Sequence, residues 1–233
     1  MNLEEEISMP VHSPLYPRPP FVYKKARLVG VMYSCAEENI RKILPEPLEP
    51  SAIPMCMAVV LEYPTTSIGP YNESILYVSA IYGDIDGWYV PYIYVTTDAA
   101  LCSGREIWSF PKKLAKIKMF EEGGVVKGIV ERNGVEIIRV SVKTEEPREL
   151  PETGALFNLK LIPSVDGPEP ALRQLTSVVL NPFKAYNIRG GESSLTFGKS
   201  ESDPIYKHLP PTEILMGACW NVDFHLPYGK VLK

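Results

Sequence analysis

Histidine, cysteine and an excess of basic charge are what this chain has least of, and each scarcity removes a class of chemistry. Three histidines, His12, His208 and His225, are scattered through 233 residues. No spacing among them builds a metal cluster or a serine-histidine triad. The four cysteines, Cys35, Cys56, Cys102 and Cys219, form no C-x-x-C pair and lie in apolar neighbourhoods, which reads as structural thiols rather than zinc or redox work. Neither a G-x-S-x-G elbow nor a glycine-rich phosphate loop is present. A net charge of −4 gives no basic footprint for nucleic acid. No apolar run approaches the ~18 residues of a membrane span, and the start Met1-Asn2-Leu3-Glu4-Glu5-Glu6 is acidic where a secretory leader is basic. The expectation is a cytoplasmic protein with no nucleic-acid or membrane partner and no metal or other cofactor.

What is present is an ordinary globular composition, 45% hydrophobic and 22% charged, in a chain long enough for one domain spanning residues 1–233. Valine, isoleucine and tyrosine concentrate at 27–34, 55–63, 74–82 and 88–97, which predicts strands. A short helix is predicted over 36–44, ended by Pro45, and another from Asp98 as its cap to the Trp108 region. Strands are predicted at 115–120 and 125–131 around Gly123-Gly124, and Asn133-Gly134 is a type I′ hairpin signal into a strand at 135–143. Later strands are expected at 158–162, 172–180, 193–197 and 222–226, with a helical stretch at 212–218 and a charged loop at 145–152. The class is α+β, mainly antiparallel β. Strands this numerous, joined by short polar turns, favour a barrel or sandwich over a doubly wound sheet.

Against this background one segment carries a chemistry: Gly104-Arg105-Glu106-Ile107-Trp108-Ser109-Phe110-Pro111-Lys112-Lys113-Leu114. Adjacent lysines are solvated surface charge in most proteins. Here Trp108, Phe110, Pro111 and Leu114 set bulky apolar groups on both sides of the pair, and Pro111 constrains the turn. Burial and a like charge both favour a neutral amine, which is a nucleophile for ketones.

The lysine segment, together with Leu44-Pro45-Glu46-Pro47-Leu48-Glu49, Gly69-Pro70-Tyr71-Asn72-Glu73 and Leu159-Lys160-Leu161-Ile162-Pro163 followed by Asp166-Gly167, resembles the acetoacetate decarboxylases in order and spacing. The resemblance runs over most of the chain. It implies a closed, cone-shaped antiparallel β-barrel with a few short helices, a tendency to form homo-oligomers, and a small-molecule keto acid as substrate. It also implies an imine mechanism: Lys112 as the imine former, Lys113 as its charged neighbour, and Glu73 near the imine to relay protons. Activation of a lysine by desolvation or a neighbouring cation is itself exemplified by acetoacetate decarboxylase. Arg105 and Glu106 match family positions and are expected either to touch substrate or to hold the loop as a buried ion pair. Trp108, Phe110, Tyr71 and Tyr94 are candidates to line the pocket.

Two positions depart from the pattern. Counting without gaps from Pro45-Glu46-Pro47, the arginine that the family sets near the substrate carboxylate falls on Ala26, with Arg27 one residue along and so on the opposite face of a strand. A second glutamate falls on Ala58, with Glu62 four residues further. These changes predict a keto acid larger than acetoacetate, carrying an unsaturated or aromatic tail, with Arg27 as the remaining candidate for the carboxylate. Decarboxylation of a β-keto acid is the first reading. A lysine-dependent aldolase-dehydratase and a non-catalytic binding barrel are the alternatives.

Overall fold

The computed structural model describes residues 7–150 and 154–233. The acidic start and the Pro151-Glu152 end of the charged loop therefore lie outside the described residues. In chain order the elements are β1 (Phe21–Ser34), α1 (Glu37–Ile43), β2 (Glu49–Pro50), β3 (Cys56–Tyr63), β4 (Thr65–Thr66), β5 (Tyr71–Tyr82), β6 (Ile85–Val95), α2 (Asp98–Ser103) and a π-helical turn (Gly104–Trp108). There follow β7 (Lys112–Leu114), β8 (Lys116–Glu122), β9 (Val125–Arg132), β10 (Val135–Lys143), β11 (Glu146–Pro147), β12 (Ala155–Pro163), β13 (Pro170–Val178), β14 (Phe183–Gly190), β15 (Ser193–Phe197), α3 (Ile205–His208), β16 (Glu213–Leu226) and β17 (Lys230–Val231).

Thirteen of these strands join one sheet whose main path runs β11-β14-β16-β1-β3-β5-β6-β12-β13-β17, and the other four form a second sheet, β15-β10-β9-β8. The closed barrel implied by the resemblance is not found. The outermost strands β11 and β17 do not pair with each other. Instead β6 takes parallel partners, β12 along Gly87–Tyr89 and β7 along Ile93–Val95. The architecture is mainly antiparallel, mixed at β6, and open.

Alternation along the large sheet's strands builds two separate cores, because successive side chains point to opposite faces. On β1, Val29, Val31 and Tyr33 enter one core while Ala26, Leu28 and Met32 enter the other; on β3, Ala58 and Val60 part in the same way from Val59, Leu61 and Tyr63. The first face is covered by the small sheet, whose Ile117, Val130, Ile138, Val140 and Val142 share its core. The second face carries Tyr71, Ile75, Trp88 and Ile93 and is covered by Ala100, Trp108 and Phe110 from the segment after β6.

Two expectations for elements differ from what is found. Residues 212–218, rich in helix formers, are the start of the long strand β16, because β1 pairs along it from Ser34↔Glu213 to Phe21↔Leu226. Asp98 is the first residue of α2 rather than its cap, and its carboxylate accepts the backbone N–H of Ala99 at 2.7 Å. All four cysteines are free. No helix among the described residues is long and apolar enough to cross a membrane.

Candidate active site

The lysine segment leaves α2 through the π-helical turn, and its path is set residue by residue. Ser109 takes up a left-handed conformation, φ 72 and ψ 15, a strain of order 1–3 kcal/mol that recurs at functional sites. The N–H of Phe110 donates to the Gly104 carbonyl at 3.0 Å. Lys160 on β12 donates to the Glu106 carbonyl at 2.6 Å, and Trp108 donates to the Pro227 carbonyl at 2.7 Å. Pinned at these points, the chain enters β7 with Lys112 beside Ile93 and Lys113 beside Tyr94. Neighbours in register point to the same side of a sheet. Lys112 therefore faces the second core and Lys113 the first.

Lys112 is 6% exposed and Glu73 4%, and their side chains meet at Nζ to Oε2, 2.8 Å. Glu73 reaches this point from β5, where it stands opposite Leu61 of β3 and Val95 of β6. Its other oxygen accepts from the Tyr63 hydroxyl at 3.0 Å. The rings of Tyr71 and Phe110 each lie 5.7 Å from the Lys112 nitrogen. Behind them Tyr23 packs edge-on against Tyr63, 4.9 Å between centroids, and its hydroxyl is 3.2 Å from that of Tyr71. Burial first, and then the charge of Glu73, push the phenols of Tyr63 and Tyr71 well above the ordinary tyrosine range. Both remain hydrogen-bond donors at neutral pH. Gly104 is required by the lysine itself: a Cβ there would lie 2.5 Å from Lys112 Cδ and Cε.

On the opposite face Lys113 donates to Asp203 at 2.7 Å and to the Ser202 carbonyl at 3.0 Å. Asp203 is fully buried and also accepts from Arg132 at 3.1 Å and Tyr94 at 3.0 Å. Burial raises the carboxyl pKa of Asp203, but the hydrogen bonds from Lys113, Ser202 and Tyr94 outweigh it and hold the group below the usual carboxylate range. The structure thus does not bring the Lys113 ammonium to the Lys112 amine, and Tyr94 belongs to Lys113's side of the sheet.

The remaining candidates separate in the same way. Phe110 and Tyr71 flank the Lys112 nitrogen. Trp108 is buried against Phe21, 5.1 Å between centroids, and supports the turn. Arg105 and Glu106 are exposed, and among the described residues no ion pair joins them. Arg105 donates to the Lys112 carbonyl at 3.2 Å, while Glu106 accepts from the Tyr16 hydroxyl. Ala26 lies in the lysine-side core, whereas Arg27 is turned away and pairs with Glu62 at 3.3 Å. Ala58 packs in the other core, opposite Val31 and Leu76, and so adds no room beside the lysine. Sequence reading missed Tyr63, which carries no motif and only alternates with Leu61 and Val59. It missed Asp203 as well, which sits in a Ser-Asp-Pro turn that looks like solvated loop.

The family model described as acetoacetate decarboxylase matches residues 8–233. The chain is 24% identical to an acetoacetate decarboxylase of Clostridium acetobutylicum over 98% of its own length and 95% of that protein's. It is 28% identical to one of Burkholderia mallei over 97% and 93%. The acetoacetate decarboxylase structure of Legionella pneumophila superposes with a TM-score of 0.89 at 28% identity, covering 99% of this chain and 95% of that one. The enduracididine biosynthesis enzyme MppR, at 19% identity, shares the fold with a TM-score of 0.86 over 97% of this chain and 94% of its own.

Proposed function

The chain belongs to the acetoacetate decarboxylase family, and we propose that it is a carbon-carbon lyase that decarboxylates a β-keto acid through an imine on Lys112. The reading is carried by one observation, a lysine and a glutamate in contact at 2.8 Å and almost wholly removed from water. Two buried charges are expensive even when paired. Moving one proton from nitrogen to oxygen across that hydrogen bond removes both charges and leaves a free lone pair on Nζ. This amine attacks the ketone carbon and water departs, leaving a protonated imine.

The carbon-carbon bond to the carboxylate then breaks, its electron pair moves through the new double bond to nitrogen, and carbon dioxide leaves. Reprotonation at carbon and hydrolysis of the imine return the lysine. Glu73 is within reach to carry the protons, with Tyr63 holding its second oxygen. Ala26 supports the same reading. With the guanidinium of Arg27 bound to Glu62, a substrate carboxylate on the lysine side has no arginine at this position. A poorly compensated carboxylate is unfavourable in an apolar site, and its conversion into neutral carbon dioxide relieves that cost.

The second reading is an aldolase-dehydratase using the same lysine. It is suggested by the shared fold of MppR, a structure of which holds the condensation product of pyruvate and imidazole 4-carboxaldehyde. Carbon dioxide release from β-keto acids, compared with condensation of a keto acid and an aldehyde, separates the two. The account predicts carbon dioxide release that vanishes in Lys112→Ala. Condensation without carbon dioxide release would favour the second reading.

A further inference from the structure

The aromatic cluster around Glu73 has a second side. A cavity of about 490 Å³ lies on the lysine face of the large sheet, walled by Leu61, Tyr63, Tyr77, Trp88, Trp220 and Phe224 among others. No charged side chain is found among its described lining residues. Its volume is within the ~300–1,000 Å³ typical of small-molecule sites. At roughly 30 Å³ for a water-sized group, it has room for a dozen or more carbon atoms, where acetoacetate would present a single methyl.

The cavity adjoins the reacting pair along the register of the sheet, although neither Lys112 nor Glu73 lines it. Its floor follows alternate residues of β3, and these are the cross-strand neighbours of β5: Leu61 beside Glu73, Val59 beside Ile75, Met57 beside Tyr77. Tyr63 is both a wall residue and the hydrogen-bond donor to Glu73. Tyr77 is a second wall residue, and its phenol is pushed up by burial and then by the Glu73 carboxylate. The roof is formed from the opposite side by Leu156 of β12 and by Ala185 and Ile188 of β14. Among the described lining residues no charged side chain would hold an ion, so an occupant gains mainly by shedding apolar surface from water.

We propose that this cavity receives the tail of the substrate, and that the substrate is a β-keto acid bearing a medium-length alkyl or aryl group on its ketone carbon where acetoacetate has a methyl. The proposal rests on the imine reading of Lys112, since that residue fixes the ketone carbon from which the tail extends.

The test uses the intact protein with acetoacetate, the six-, eight- and ten-carbon β-keto acids, and benzoylacetate. Carbon dioxide release and borohydride trapping are measured for each. The expected result is an adduct with every substrate and a kcat/KM that rises roughly threefold to fourfold per added methylene until the cavity is full. Two variants add bulk from opposite walls, Val59→Phe from the floor and Ala185→Leu from the roof. Each is expected to reduce the ratio of kcat/KM for the eight-carbon acid to that for acetoacetate by at least about tenfold. If adducts form but acetoacetate is the best substrate and neither variant changes the ratio, the tail proposal is overturned and the imine reading stands. If no keto acid gives an adduct, the imine reading fails and the tail proposal with it. The series on the unmodified protein decides the matter even where a filled variant does not fold.

Discussion

Lys112 and Lys113 differ by one position, and on a strand one position is a change of face. The two ammonium groups therefore have different partners: Glu73, behind a screen of aromatic rings, for the first, and Asp203 with Arg132 for the second. Repulsion between them is a small influence on this account, because the Lys113 charge is balanced at 2.7 Å by a buried carboxylate. Lys113→Gln is expected to leave kcat within about threefold of its original value, while lowering stability by less than about 2 kcal/mol, since Arg132 still compensates Asp203. Steady-state kinetics together with urea unfolding of the variant check both. A kcat lowered by more than about tenfold would show that the Lys113 charge acts on the reacting amine after all. The residue types at this site, and the nearness of Glu73 to Lys112, were expected from Pro-Lys-Lys-Leu and Tyr-Asn-Glu, but the partners Tyr63 and Asp203 were not. Register decides which residues meet across strands, and only the assembled sheet fixes that Tyr63 serves Glu73 and Asp203 serves Lys113.

At the scale of the element, the segment from α2 to β7 sets the lysine in its place. The helix widens at Gly104, the chain reverses at Ser109, and Pro111 delivers a three-residue strand parallel to β6. Gly104→Ala puts a methyl 2.5 Å from Lys112 Cδ and Cε. The lysine must shift, and a misplacement of about 1 Å at a reacting group costs on the order of a hundredfold in rate. The variant is expected to fold, with a melting temperature within a few degrees of the original and kcat lowered tenfold to a hundredfold. Steady-state kinetics and a thermal melt check this, and unchanged kcat would show that the glycine serves the turn alone. Local chemistry made some elements legible: Asn133 and Gly134 adopt φ 51 and φ 77 in the hairpin that their pairing announced, and the strand expected at 193–197 is β15, Ser193–Phe197. Residues 212–218 were misread because Glu213, Leu215, Met216 and Ala218 favour helix intrinsically, whereas pairing with β1 overrides propensity. Strand β14 was missed because a register irregularity between Tyr186 and Arg189, with Asn187 at φ 55, breaks its period-two alternation.

For the whole molecule, the large sheet acts as a partition. One face is sealed by the small sheet and holds the Asp203 network; the other holds Lys112, Glu73, the tyrosine cluster and the apolar cavity. The count of strands pointed to a mainly antiparallel protein with few helices, and that much of the architecture was legible. Closure was not, because it depends on whether the outermost strands meet, which no local pattern encodes. The parallel pairing of β12 and β7 along one edge of β6 was equally invisible, since β12 comes from a distant part of the chain and β7 is too short to carry a strand pattern. What the arrangement exists to do, on this account, is to keep one amine dry beside one carboxylate. The most direct test is to incubate the protein with a β-keto acid, reduce with borohydride, digest, and map the added mass by peptide sequencing in a mass spectrometer. The account predicts a single adduct on Lys112, absent from Lys112→Ala and undiminished in Lys113→Gln. An adduct that persists in Lys112→Ala, or one that maps to Lys113, would contradict it.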